Sequence, residues 1–101
     1  MSISRSGGGI SELVEMSPLV DRFLSGLPTR LDQFDLALNA NDWSGIERLA
    51  HQVRGASGCY GFPEIAKEAQ RIEVIAKTQS SAALIRDGLE KIRSIARRVR
   101  H

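Results

Sequence analysis

The chain has 101 residues, 42% of them hydrophobic and 26% charged, with a formal net charge of +2. That length suits one domain with a modest core, and the composition excludes a disordered chain. Cys59 is the single cysteine, which excludes an internal disulfide, and no apolar run approaches the ~20 residues of a bilayer-spanning helix, so the sequence reads as a soluble cytoplasmic protein.

Residues 1–10, "MSISRSGGGI", lack an apolar signal core and read as a flexible lead-in, leaving residues 11–101 as the helical domain. Ser11 to Met16 predicts a short first helix. Ser17 before Pro18 gives an N-cap and a proline at the first helical position. Val20, Phe23, Leu24, Leu27, Leu31, Phe34 and Leu38 then trace one apolar stripe to about Asn39. Gly26 and Pro28 lie inside it. The periodicity passes through them without a phase break, which predicts a bend in one long helix rather than two helices.

"NAND" at 39–42 is a tight connection, with Asn41 or Asp42 capping a helix from Trp43 to Tyr60. Ile46, Leu49, Ala50, Val53, Ser57 and Tyr60 form its inward face. Gly61 suits the left-handed position after it, and Pro63 the first turn of the next helix, about Pro63 to Lys77. That helix turns Ile65, Ala66, Ala69, Ile72 and Ala76 inward. "TQSS" is a loop with Ser80 or Ser81 as cap, and a last helix carries Leu84, Ile85, Leu89, Ile92, Ile95, Ala96 and Val99. No strand pattern occurs. The prediction is an all-α protein, an antiparallel up-down four-helix bundle with a short extra N-terminal helix. Lys91, Arg93, Arg97, Arg98 and Arg100 face no acid among residues 91–101. Without a stacking aromatic or a groove-reading motif they read as solvated cations that suit the helix dipole, not as a nucleic-acid site.

The stretch "LAHQVRGASGCYGFPE", residues 49–64, holds Gly55, Gly58 and Gly61 beside the only internal histidine. A mid-helix glycine costs about 1 kcal/mol relative to alanine. At about 100° per residue the inward positions cluster within roughly 100° of arc, and His51 falls about 140–150° from their centre. It points to solvent, with Gly55 one turn beyond and Gly58 two turns beyond. These glycines strip side chains from the surface beside an exposed imidazole, which is a competent nucleophile near neutral pH. A convex helix face lacks the concavity of an enzyme pocket, and one internal histidine with one cysteine on another face makes no metal site.

"LAHQVRGASGCYGF", followed by "IAKEAQRIE", resembles the histidine phosphotransfer (HPt) domain family. The family pattern is a histidine, a basic residue three on, a glycine four on, and a further glycine near the helix end. Here those are His51, Arg54, Gly55 and Gly61. The resemblance extends back through "FLSGLPTRLDQFDLALNANDW" and forward to Glu73, with the last helix matched in outline. It implies a four-helix bundle and a phosphorelay intermediate, which accepts a phosphoryl group on His51 from the aspartyl phosphate of one receiver domain and passes it to another. Such a phosphocarrier is not an enzyme and has no kinase or ATP-binding part; this chain has no nucleotide motif. The implied partners are response-regulator receiver domains and a hybrid histidine kinase, with no nucleic acid, no membrane and a monomeric state. No cofactor is expected on this chain, Mg²⁺ being expected on the receiver.

The resemblance also suggests roles around the histidine. Arg54, where lysine is commoner, can stabilise phosphoryl oxygens or touch the partner. Glu73 can accept the proton of the non-reacting ring nitrogen and so fix the tautomer. Lys77, one turn further, can supply a second cation, and Gly58 extends the bare surface. An apolar patch on the first two helices, including Leu13 or Met16, is expected to receive the partner. "HQVR" also resembles the phosphoacceptor motif of histidine-kinase dimerisation domains. Here Gln52 replaces the acid, and Gly55-Ala56 replaces the expected polar-proline pair. The alternatives to the relay are such a kinase fragment and a helical adaptor that binds receivers without accepting phosphate.

Overall fold

Apolar residues recurring every three or four positions become four α-helices in a computed structural model that describes residues 18–99. They are α1 (Pro18–Asn39), α2 (Trp43–Cys59), α3 (Pro63–Thr78) and α4 (Ala82–Val99), with no strand among the described residues. The lead-in, the expected helix Ser11–Met16 with Leu13 of the apolar patch, the Ser17 cap and Arg100 lie outside the described residues.

Local chemistry sets the boundaries. Helix α1 runs unbroken through Gly26 and Pro28, because its stripe of Phe23, Leu27, Leu31, Phe34 and Leu38 is buried on both sides of the proline. Asp42 caps α2, its Oδ1 accepting from the Gly45 N–H at 2.9 Å, while Asn41 turns the chain at φ 54°. After α2, Gly61 takes φ +87°, a left-handed conformation that glycine adopts without a Cβ penalty. The Phe62 N–H then donates to the Ser57 carbonyl at 2.8 Å, and Pro63 opens α3. Ser81, not Ser80, caps α4: its Oγ accepts from the Leu84 N–H at 3.1 Å.

The helices share one core to which every helix contributes, with Phe34, Ile46, Ile65, Ile72 and Leu89 fully enclosed. Each helix packs on the next, α1 also meets α4, and α2 against α3 is the most extensive pairing. Phe23 of α1 pins the α2–α3 turn, its ring centroid 5.7 Å from that of Tyr60 and 5.5 Å from that of Phe62.

Helix α4 corrects two inward assignments. Leu84 is 46% exposed and Val99 41% exposed. The buried stripe of α4 centres on Ile85, Leu89 and Ile92, so Leu84 falls about 100° to one side of Ile85. Val99 lies beyond Ile95, the last buried residue of the helix. Gly88 takes an inward place that the apolar pattern did not assign. A Cβ there would come within 2.9 Å of Ile72 Cγ1, so α3 and α4 meet closely at that point. Gly88→Val should therefore lower unfolding free energy by about 1–3 kcal/mol through overpacking, read by urea denaturation. A variant as stable as the parent would show that the two helices separate there without cost.

Candidate functional site

Helix α2 buries Ile46, Ala50, Val53 and Ser57, and the helical turn then forces His51 outward, where its side chain is 64% exposed. Gly55 and Gly58 are exposed, and a Cβ built on either would meet nothing within 4 Å. No neighbour among the described residues requires them to be glycine. Ser57, the polar member of the buried face, satisfies its hydroxyl by donating to the Val53 carbonyl at 2.6 Å.

Opposite His51, α3 carries Glu73 beside the core residue Ile72. The Glu73 side chain is only 11% exposed, so its charge needs partners. Its Oε2 lies 3.2 Å from His51 Nδ1, and its Oε1 lies 3.1 Å from Arg54 Nε. Arg54 Nε is buried without a hydrogen-bond partner of good alignment, so its contact with Oε1 is ionic rather than a directed bond. The Arg54 guanidinium also approaches the imidazole, with Nη2 3.0 Å from the same Nδ1.

These contacts restrict the ring. A neutral imidazole carries one N–H, and guanidinium can only donate. Donation from Nδ1–H to Glu73 leaves the lone pair on Nε2. Acceptance from Arg54 at Nδ1 instead puts the proton on Nε2. The two bonds therefore belong to opposite tautomers, and the balance between Glu73 and Arg54 decides which nitrogen is nucleophilic.

Of the residues singled out from the sequence, His51, Arg54 and Glu73 converge, and Gly55 and Gly58 share the exposed side of α2. Lys77 stands apart, with Nζ 4.0 Å from Glu47 Oε2 of α2. The face is not wholly convex: Ser44, Glu47, Arg48 and Gln52 line a shallow concavity with His51 and Glu73. From α1, Arg30 Nη1 donates to Gln52 Oε1 at 3.4 Å. The sequence reading passed over Glu47 and Arg48, although their spacing of four and three before His51 puts them on its side of the helix. Among the described residues, no three or more His, Cys, Asp or Glu side chains group to hold a metal ion.

Residues 18–100 match the family model of the Hpt domain. The chain belongs to the Hpt domain family. No curated protein and no solved structure matches it. Hpt domains are phosphocarrier modules that work with receiver domains and histidine kinases, so membership places the chain in histidine phosphotransfer of two-component signalling. No helix among the described residues is long and apolar enough to cross a membrane.

In this Hpt domain, Glu73→Ala should move His51 toward the Nε2–H tautomer, because the Arg54 donor would then face Nδ1 without competition. Ring ¹⁵N chemical shifts at a pH where the imidazole is neutral read the tautomer directly. An unchanged tautomer would show that Glu73 does not set it.

Proposed function

We propose that this Hpt domain accepts a phosphoryl group on Nε2 of His51 from the aspartyl phosphate of one receiver domain and hands it to the aspartate of another. The observation that carries this reading is an outward imidazole whose Nδ1 is tied to a largely buried carboxylate, on a helix face stripped by Gly55 and Gly58. We take the protein to act in the cytoplasm as a monomeric carrier without kinase activity of its own, with a hybrid histidine kinase supplying the first phosphoryl group. We also read the bundle as antiparallel and up-down, with a short extra helix before α1. Pairing of Arg30 with Gln52, of His51 with Glu73, of Glu47 with Lys77 and of Glu64 with Arg98 supports the antiparallel part.

In this mechanism the Nε2 lone pair attacks phosphorus in line with the bond to the donor aspartate. The N–P bond forms as the P–O bond breaks, and the electron pair of that bond leaves on the partner's carboxylate. Nδ1 keeps its proton, held by Glu73, whose charge meets the positive charge that the ring acquires. Transfer to the second receiver runs the same step in reverse. Positioning and electrostatics carry most phosphoryl transfers, so a nucleophile fixed in tautomer and open to approach is what this chain has to supply. Mg²⁺ is expected on the receiver, where it neutralises phosphoryl charge. Arg54 supports the ring and Glu73, and Lys77 adds positive charge one turn away.

His51→Gln should abolish uptake of phosphoryl label from a phosphorylated receiver while leaving helical content and Tm nearly unchanged, as for other exposed positions. Label on that variant would sink the assignment. Gly55→Gln should gain up to about 1 kcal/mol of stability, since glutamine is the better helix former and the site is empty. The same change should slow transfer by about 100-fold, the cost of holding the donor ~1 Å out of line. Melting and transfer are to be measured on one sample; a weaker fold with normal transfer would remove the access argument.

A further inference from the structure

Resting on the phosphocarrier reading above, we infer that Arg48, one turn before the histidine, is the cation that receives the phosphoryl oxygens on His51, and that Arg54 instead orients the ring. Among the described residues, the cations Arg30, Arg48, Arg54 and Lys77 stand on the helices around the imidazole, and three of these four are engaged. Arg54 is committed to Glu73 and to Nδ1. Lys77 faces Glu47, and Arg30 donates to Gln52. Arg48 is exposed, lines the concavity beside His51, and has no ion pair or hydrogen bond among the described residues.

The lining of the concavity favours Arg48 as well. Long side chains on a helix lean toward its N-terminus and cover the preceding turn. The imidazole of His51 accordingly lies over the turn that holds Glu47 and Arg48, and it lines the concavity with them. Its Nδ1 edge is occupied by Glu73 and Arg54. Nε2 has no hydrogen-bond partner among the described residues. A phosphoryl group on Nε2 stands on the ring that lines this concavity, and Arg48 is the one cation in the lining. A guanidinium presents paired donors that match two phosphate oxygens, so it can hold them without a rigid pocket. Gln52 and Ser44 border the same concavity and offer neutral donors.

The test uses the full chain phosphorylated with potassium phosphoramidate. That reagent needs no receiver: the Nε2–P bond forms, the P–N bond of the reagent breaks, and ammonia leaves. The pH midpoint of the phosphohistidine ³¹P resonance reports the charge held beside the phosphoryl oxygens, since a neighbouring cation favours the more ionised form. Arg48→Gln should raise that midpoint by about half a unit, Arg48→Lys should restore most of the shift, and Arg54→Gln should move it less than Arg48→Gln does. Circular dichroism on each sample shows whether the fold is intact. A midpoint unmoved by Arg48→Gln, or moved more by Arg54→Gln, overturns the assignment of Arg48 while leaving His51 as acceptor. If the wild-type chain forms no phosphohistidine at His51, the phosphocarrier reading falls and the role of Arg48 falls with it.

Discussion

A carboxylate held at the seam between two helices governs the working surface of this protein. Taking a carboxylate out of water costs several kcal/mol unless its charge is met. Glu73 is met from two directions, by the Arg54 guanidinium and by the His51 ring. Both partners lie on α2 and Glu73 lies on α3, so the arrangement exists only at one separation and one rotation of the pair. A slip of one residue in α3 would turn Glu73 by about 100° and present Ile72 or Val74 to the imidazole. The register is held by the left-handed Gly61, by Pro63 at the head of α3, and by Phe23 stacked against the turn. Site and fold therefore share one constraint.

That constraint also divides the basic residues by task. A cation tied to a largely buried acid is poorly placed to follow an incoming anion, because each new contact it makes weakens an old one. Arg54 is in this position, and its Nε is enclosed. Its commitment benefits the ring, since the guanidinium holds the Glu73 carboxylate in place next to Nδ1. The exposed pairs elsewhere, such as Lys91 with Asp87 and Arg97 with Glu90, are of the screened surface kind that contribute little to stability. The basic C-terminal segment is thus partly neutralised by acids of its own helix, in keeping with a solvated helix end.

How legible each part was depended on whether its cause is local. Caps, prolines and the positive-φ glycine act over a few residues, so the bounds of α1 to α4 followed from the chain itself. The direction of His51 was equally readable, because the inward positions of α2 are unmistakably apolar and fix its rotation. Glu73 was another matter. Its position could be read from the family resemblance, but its burial and its tie to Arg54 arise from a neighbour on a different helix, which periodicity does not encode. For the same reason periodicity does not show the tie of Arg54 to that carboxylate. Leu84 and Gly88 show the limit from the opposite side: residue type suggested burial for the leucine, while the close approach of α3 to α4 buries the glycine and leaves the leucine out. The expected short helix before α1 lies outside the described residues.

A phosphocarrier module that works with receiver domains and histidine kinases is best served by a site that neither encloses its cargo nor grips its partner. The exposed side of α2 meets that need at a cost in helix stability, about 1 kcal/mol for each exposed glycine. The inward side can bear it, since Ile46, Ala50 and Val53 are all fully buried. One helix thus carries rigidity on one face and accessibility on the other, and most substitutions on the open face leave the core untouched. Glu73 is the point where the two faces are joined, because the same carboxylate is packed beside the core and paired with the exposed imidazole of His51. Substitutions on the exposed surface therefore leave this contact alone, whereas the placement of Glu73 beside His51 depends on the packing of α2 on α3.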